Sequence, residues 1–204
     1  MVVVFDVDGT IADTKSGIIA AVNAVYERME LAMIPQEQEN DYIGPPLLDS
    51  FMKLGKLSEK DARHAVELYR KIYVDSFIEQ SSLYVGMKDL LDFLYDRKSH
   101  MAIATMKTKA QVDRLFSVLE IEKYFENVFC AKTDNSLNKS DMLKAIKNIY
   151  STEEIYMIGD TMGDYDAAQN AKVKFIGAGY GYGVFEQTIV SIVESVEEII
   201  PMLC

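Results

Sequence analysis

Two pairs of carboxylates in this chain are spaced as reactive groups would be. Asp6 and Asp8 stand one residue apart and are followed at once by Gly9 and Thr10. Asp160 and Asp164 lie far along the chain, four apart, directly after Gly159. In an extended segment residues i and i+2 point to the same side, so Asp6 and Asp8 project together. Carboxylates this close repel each other, and such a pair needs a cation, a shared proton or water between them. Gly9 permits a turn that few other residues allow. Two further side chains suit an anionic group. Thr105 ends the apolar run Met101-Ala-Ile-Ala-Thr, and a hydroxyl at a strand end beside a helix amino terminus is a sound donor to a phosphate oxygen. Lys139 stands just before the helical stretch Ser140-Asp141-Met142-Leu143.

Each of these residues stands at the edge of an element that would hold it. Val2-Val3-Val4-Phe5 is a short apolar, β-branched run and reads as a buried strand. Asp6 and Asp8 fall at its carboxyl end, where open α/β sheets bind ligands. The pattern predicts further strands over 100–105, 127–131, 154–158 and 173–176. It predicts helices opening after Gly86, at Thr108-Lys-Ala-Gln111 as a capping box, and over 140–149, 164–171 and 195–203. Strands alternating with helices imply a Rossmann-like parallel sheet with helices on both faces. The alternation is interrupted after the first strand. Residues 16–33 carry Ile18, Ile19, Val22, Val25, Tyr26 and Met29 at helical spacing, and Pro35 ends them. The polar stretch 36–41 and a Gly44-Pro45-Pro46 loop connect to a short helix over 47–54. Ser58, followed by Glu59 and Asp61, opens another helix that runs to Phe77. The expected division is therefore a core of 1–14 and 84–204 with an inserted helical subdomain, 15–83.

Composition narrows the function classes. With 204 residues, the chain suits one core and a small subdomain, and a hydrophobic content of 49% supports a real interior. A net charge of −11 argues against nonspecific nucleic-acid or anionic-membrane binding. It also requires that any phosphate site have its own local cations. No apolar run approaches the length that crosses a bilayer, and strand residues begin at Met1, leaving no signal-peptide pattern. Cys130 lies in an apolar run and reads as a buried thiol, Cys204 is terminal, and a reduced, cytoplasmic setting without a disulfide is expected.

The stretch Phe5-Asp-Val-Asp-Gly-Thr-Ile-Ala-Asp13-Thr14 resembles the first motif of the haloacid dehalogenase-like hydrolases, most of which are phosphatases. Thr105 resembles the second motif and Lys139 the third, with Ser140 where the family often has proline. Ile155-Tyr-Met-Ile-Gly159-Asp160-Thr-Met-Gly-Asp164 resembles the fourth, and Tyr165-Asp166-Ala167-Ala168 extends the match. Four motifs in order, each at the end of an expected strand, are far more specific than any one of them. The helical block between the first two is similar to the small cap of the phosphoglycolate phosphatase and β-phosphoglucomutase branch.

The resemblance implies roles. Asp6 would be the nucleophile and Asp8 the general acid and base. Thr105 and Lys139 would bind the transferring phosphoryl group, with the backbone at Met106 helping. Mg²⁺ would be held by the Asp6 and Asp160 carboxylates and the Asp8 carbonyl, with Asp164 beside them. Met106 and Lys107 follow Thr105, where the family commonly has Asn directly after the Thr, and Lys107 either contacts an acidic substrate or is solvated. The Gly44 loop would face the substrate or simply join helices. The expected activity is hydrolysis of a small phosphate monoester, phosphoglycolate-like, by a monomer or homodimer. The alternatives are a pyrophosphatase, nucleotidase or sugar-phosphate phosphatase or mutase, and a noncatalytic phosphate-binding regulator. A haloalkanoic acid dehalogenase is disfavoured by Asp8, since the resembling dehalogenases lack an acid there. The Gly-rich segment 177–183 fails the dinucleotide spacing and reads as a flexible loop at the edge of the site. His64 and His100 have no metal-ligand company in sequence.

Overall fold

Val2–Phe5 forms β1, and all four side chains are wholly buried, as expected of a strand covered on both faces. The computed structural model describes residues 1–132, 137–186, 189 and 191–203, with the backbone alone for Asn40. The other strands of the sheet are β2 (His100–Thr108), β3 (Asn127–Ala131), β4 (Ile155–Gly159), β5 (Lys174–Ala178) and β6 (Ile192–Val193). Their order is β3-β2-β1-β4-β5-β6, and among the described residues every pairing in this sheet is parallel. This is the doubly wound Rossmann-like arrangement, an α/β fold. Its strand order reverses between β1 and β4, where such sheets leave a crevice at their carboxyl ends.

Alternate residues of β1 serve opposite faces. Val2 and Val4 join a core with Met142, Leu143, Ile146, Ala167 and Ala168 from helices Lys139–Ile149 and Met162–Ala171. Phe5 points the other way, its ring 6.2 Å from Phe125, which in turn lies 5.1 Å from Phe116 of helix Lys109–Leu119. The capping box on that helix is present, with Gln111 Oε1 accepting from the Thr108 amide at 2.9 Å.

The chain divides into two compact units, residues 1–13 with 83–204, and residues 14–82. The second unit is almost wholly helical, comprising Lys15–Arg28, the 3₁₀ stretch Gln36–Tyr42, Leu47–Lys53 and Glu59–Ile72. Tyr26, Tyr42 and Phe51 pack within it at ring separations of 5.9–6.2 Å.

Several expectations need correction. The polar stretch 36–41 is 3₁₀-helical and does not run as a plain connector. The helix expected to run to Phe77 ends at Ile72 and continues as a wider π-type turn over Tyr73–Phe77. β2 does not stop at Thr105 but runs on to Thr108. A sixth short strand was not foreseen. Cys130 is half-buried, and its burial pushes the thiol up to about 11; Cys204 lies outside the described residues.

Candidate active site

Asp6 is the first residue beyond β1, and its amide donates to the Ile158 carbonyl at 2.9 Å, carrying the ladder one step past the strand. Asp160 is the first residue beyond β4. Both therefore sit where the strand order reverses. Asp164 lies in the first turn of helix Met162–Ala171, capped by Thr161. The Thr161 hydroxyl and amide donate to Asp164 Oδ2 at 2.7 and 3.1 Å, which turns this carboxylate back toward β4. Gly159 makes room for it, since a Cβ there would lie 2.5 Å from Asp164 Cγ. One oxygen from each of Asp6, Asp160 and Asp164 lies within 4.8 Å of the others, and all three residues are buried.

Lys139, the first residue of its helix, reaches this cluster. Its Nζ lies 3.0 Å from Asp6 Oδ2 and also pairs with Asp164 Oδ1. The helix start is fixed by Asn138, whose side chain accepts from the Asp141 amide at 2.9 Å. Burial works to lower the Lys139 pKa, but the Asp164 and Asp6 carboxylates outweigh it and hold the ammonium above its ordinary value. Burial pushes Asp6 up to about 6; Lys139 opposes the rise, while the Asp164 and Asp8 charges add to it. Asp160 is pushed further, to about 8, by burial and then by the charges of Asp6 and Asp164. One lysine does not offset three buried carboxylates. Asp6 Oδ1 is buried with no hydrogen-bond partner among the described residues. An orphaned carboxylate oxygen among acidic neighbours, in an all-oxygen donor set, fits a hard divalent cation such as Mg²⁺.

Thr105 is buried within β2, two residues past Ile103, the last one paired with β1. The residues after it are organised by a bulge. Thr105 is opposite Cys130 and Thr108 is opposite Ala131, so two residues of β2 have no counterpart on β3. Bulges re-aim side chains beside active sites. Here Met106 turns outward and is 41% exposed, while Lys107 turns inward and is 5% exposed. Lys107 is thus not solvated, and its Nζ lies 2.9 Å from Asp8 Oδ1. The two carboxylates of the first motif face different lysines, Asp8 facing Lys107 and Asp6 facing the Lys139 that it shares with Asp164, which answers the repulsion expected from their spacing.

A family model described as haloacid dehalogenase-like hydrolase matches residues 3–178. The chain belongs to this family. It is 27% identical over 184 residues to a 5'-nucleotidase of Pseudomonas aeruginosa, covering 89% of this chain and 83% of that one. It is 28% identical over 193 residues to a phosphoglycolate phosphatase of Vibrio parahaemolyticus, covering 88% and 84%. The crystal structure of a predicted phosphatase from Clostridium acetobutylicum superposes with a TM-score of 0.89 at 27% identity, covering 99% of this chain and 97% of that one. Within the haloacid dehalogenase-like hydrolases, this chain stands with the phosphoric monoester hydrolases.

Residues to which the sequence motifs gave no role also contact the cluster. Thr10 Oγ1 donates to Asp160 Oδ1 at 3.4 Å, and the Tyr182 amide donates to Asp160 Oδ2 at 3.0 Å. Thr161 was legible in principle, because Thr161-x-x-Asp164 has the spacing of a capping box. Tyr182 had no sequence signal beyond its glycine neighbours. Gly44 belongs to the other unit, where it is exposed with φ 99° in a turn before helix Leu47–Lys53.

Proposed function

We propose that this enzyme hydrolyses a small phosphate monoester, phosphoglycolate-like, through a phosphoryl ester of Asp6, with Mg²⁺ as its cation. The observation that carries the reading is the state of the Asp6 carboxylate. It is buried at the switch point with Oδ2 held by Lys139. Its other oxygen, Oδ1, is buried and lacks a hydrogen-bond partner among the described residues. Burial strips water from a nucleophile, and Lys139 favours its ionised form.

Phosphoryl transfer is mostly positioning and charge neutralisation. An Asp6 oxygen forms the new bond to phosphorus as the bond to the leaving oxygen breaks. That oxygen takes a proton from Asp8. Water then attacks the phosphorus and gives a proton to Asp8, and the bond to Asp6 breaks to release phosphate. Thr105 and Lys139 hold phosphoryl oxygens, and the Met106 backbone amide assists. Lys107, paired with Asp8, orients the acid rather than binding the phosphoryl group. Mg²⁺ would be held by Asp6 and Asp160 and the Asp8 carbonyl, with Asp164 behind them, and when bound it supplies charge against the phosphoryl oxygens. When ionised, Asp6, Asp8, Asp160 and Asp164 contribute four negative charges against two positive ones from Lys107 and Lys139. The difference of two matches a divalent ion.

The substrate class rests on the relative named phosphoglycolate phosphatase; the relative named 5'-nucleotidase supports a nucleoside monophosphate as the second reading. A strongly acidic chain suits a small soluble partner better than nucleic acid or an anionic membrane. Among the described residues no helix is long and apolar enough to cross a bilayer. The test is phosphate release with Mg²⁺ from phosphoglycolate, pyrophosphate, nucleoside monophosphates and sugar phosphates, with an EDTA control. EDTA-sensitive turnover of one member, abolished in a folded Asp6→Asn variant, is expected. Near-normal turnover by Asp6→Asn refutes the mechanism.

A further inference from the structure

Residues 179–183, Gly-Tyr-Gly-Tyr-Gly, read from sequence as a flexible edge loop, but the structure packs them against the site. They follow β5 in a turn closed by the Gly181 amide on the Ala178 carbonyl at 3.0 Å. The Gly179 amide is tied to the Val193 carbonyl at 2.8 Å. From there the segment contacts both halves of the cation-binding cluster. Tyr180 donates its phenol to the Thr10 carbonyl at 3.0 Å, within the first motif. The Tyr182 amide donates to Asp160 Oδ2, and its phenol donates to Asp13 Oδ1 at 2.8 Å.

The glycines in this segment are demanded by space. A Cβ on Gly181 would run into the Gly9 carbonyl and the Asp160 side chain, and one on Gly183 into the Asp160 carbonyl. The fit is reciprocal at Gly9, whose φ is +72° and where a Cβ would meet the Tyr182 ring at 2.9 Å. Close backbone approach of this kind is a use of glycine distinct from flexibility. The two Asp160 oxygens are thus held by different segments, Oδ1 by Thr10 and Oδ2 by Tyr182.

We propose that Tyr182 is a positioning residue for cation binding: its amide sets the direction of Asp160 Oδ2, and its phenol, anchored on Asp13, sets the amide. This rests on the reading that Asp6 and Asp160 hold a divalent cation. An ion needs its ligand oxygens already aimed, and a buried carboxylate without these anchors would turn away from its acidic neighbours.

The probe is Mn²⁺ binding to the metal-free full-length protein without substrate, read as free Mn²⁺ by electron paramagnetic resonance. Tyr182→Phe keeps the ring and the amide and loses the phenol's hydrogen bonds, to Asp13 and to Tyr84. Its Mn²⁺ dissociation constant is expected to rise about fivefold, roughly the worth of one hydrogen bond, with Tm within about 2 °C of wild type. Gly183→Ala, which forces the segment off Asp160, is expected to lose more than Tyr182→Phe. Wild-type affinity in both folded variants overturns the proposal while leaving the cation reading intact. A loss of affinity that appears only together with a fall in Tm of several degrees also overturns it, since Tyr182 would then act through general stability. If the wild-type protein does not take up Mn²⁺, the cation reading and this inference fall together.

Discussion

Replacing Lys107 with methionine isolates the ion pair that the β2 bulge creates. The variant keeps most of the buried stem and removes the ammonium 2.9 Å from Asp8. Removing one partner of a fully buried pair costs about 3–5 kcal/mol, because the other charge is left uncompensated. Here the Lys107 side chain is 4% exposed but that of Asp8 is 25% exposed, so water takes up part of the loss. The cost is then nearer that of a hydrogen bond to a charged group, about 2 kcal/mol. For a chain of this length that lowers Tm by roughly 4–8 °C. The catalytic effect depends on the leaving group. General acid–base catalysis contributes about 10²–10⁴ in rate, and an acid held in the wrong direction forfeits part of it. An alkyl phosphate, whose leaving oxygen needs the proton, is expected to lose at least about tenfold in kcat. p-Nitrophenyl phosphate, whose leaving phenolate needs none, is expected to lose much less. The assay is kcat on both substrates with thermal melts of each protein. An equal loss on both refutes the reasoning, because Lys107 would then not act through Asp8.

Two more perturbations probe the charge balance. Asp6 and Asp160 have folded-state pKa values of about 6 and about 8, above the ordinary 3.8, so the stability they contribute is present below about pH 4 and is lost as pH rises through those values. In EDTA, Tm is therefore expected to fall between pH 5 and pH 9, roughly the span that brackets both shifted groups, and Mg²⁺ is expected to restore more Tm at the high end; a flat EDTA profile refutes the assignment. Lys139→Met removes the only ammonium placed against Asp6 and Asp164 among the described residues, and a loss of about 3–5 kcal/mol by urea unfolding in EDTA is expected, partly recovered at pH 5. A loss below about 1 kcal/mol, the range of exposed pairs, counts against a buried triad.

What could be read from sequence here was whatever is encoded locally. Val2-Val3-Val4-Phe5 needs only its own composition to announce a buried strand, and Thr108-x-x-Gln111 needs only its own spacing to announce a helix start. The carboxylates and Lys139 followed because they stand directly at such boundaries. Lys107 did not follow. Its inward turn comes from two unpaired residues in the β2–β3 register, and a register belongs to two strands far apart in sequence. The segment 179–183 misled for a related reason. Glycine has two uses, freedom of φ and absence of a side chain, and sequence alone does not say which one a position needs. At Gly181 and Gly183 the second applies, because the atoms they must clear come from Gly9 and Asp160. Both concern residues that contact a carboxylate already identified. The proposed reacting groups lie at strand ends and are visible one element at a time, whereas the groups proposed to aim them are supplied by neighbouring strands. Direct replacement of Asp6 tests the first kind of knowledge, and Lys107→Met with Tyr182→Phe tests the second.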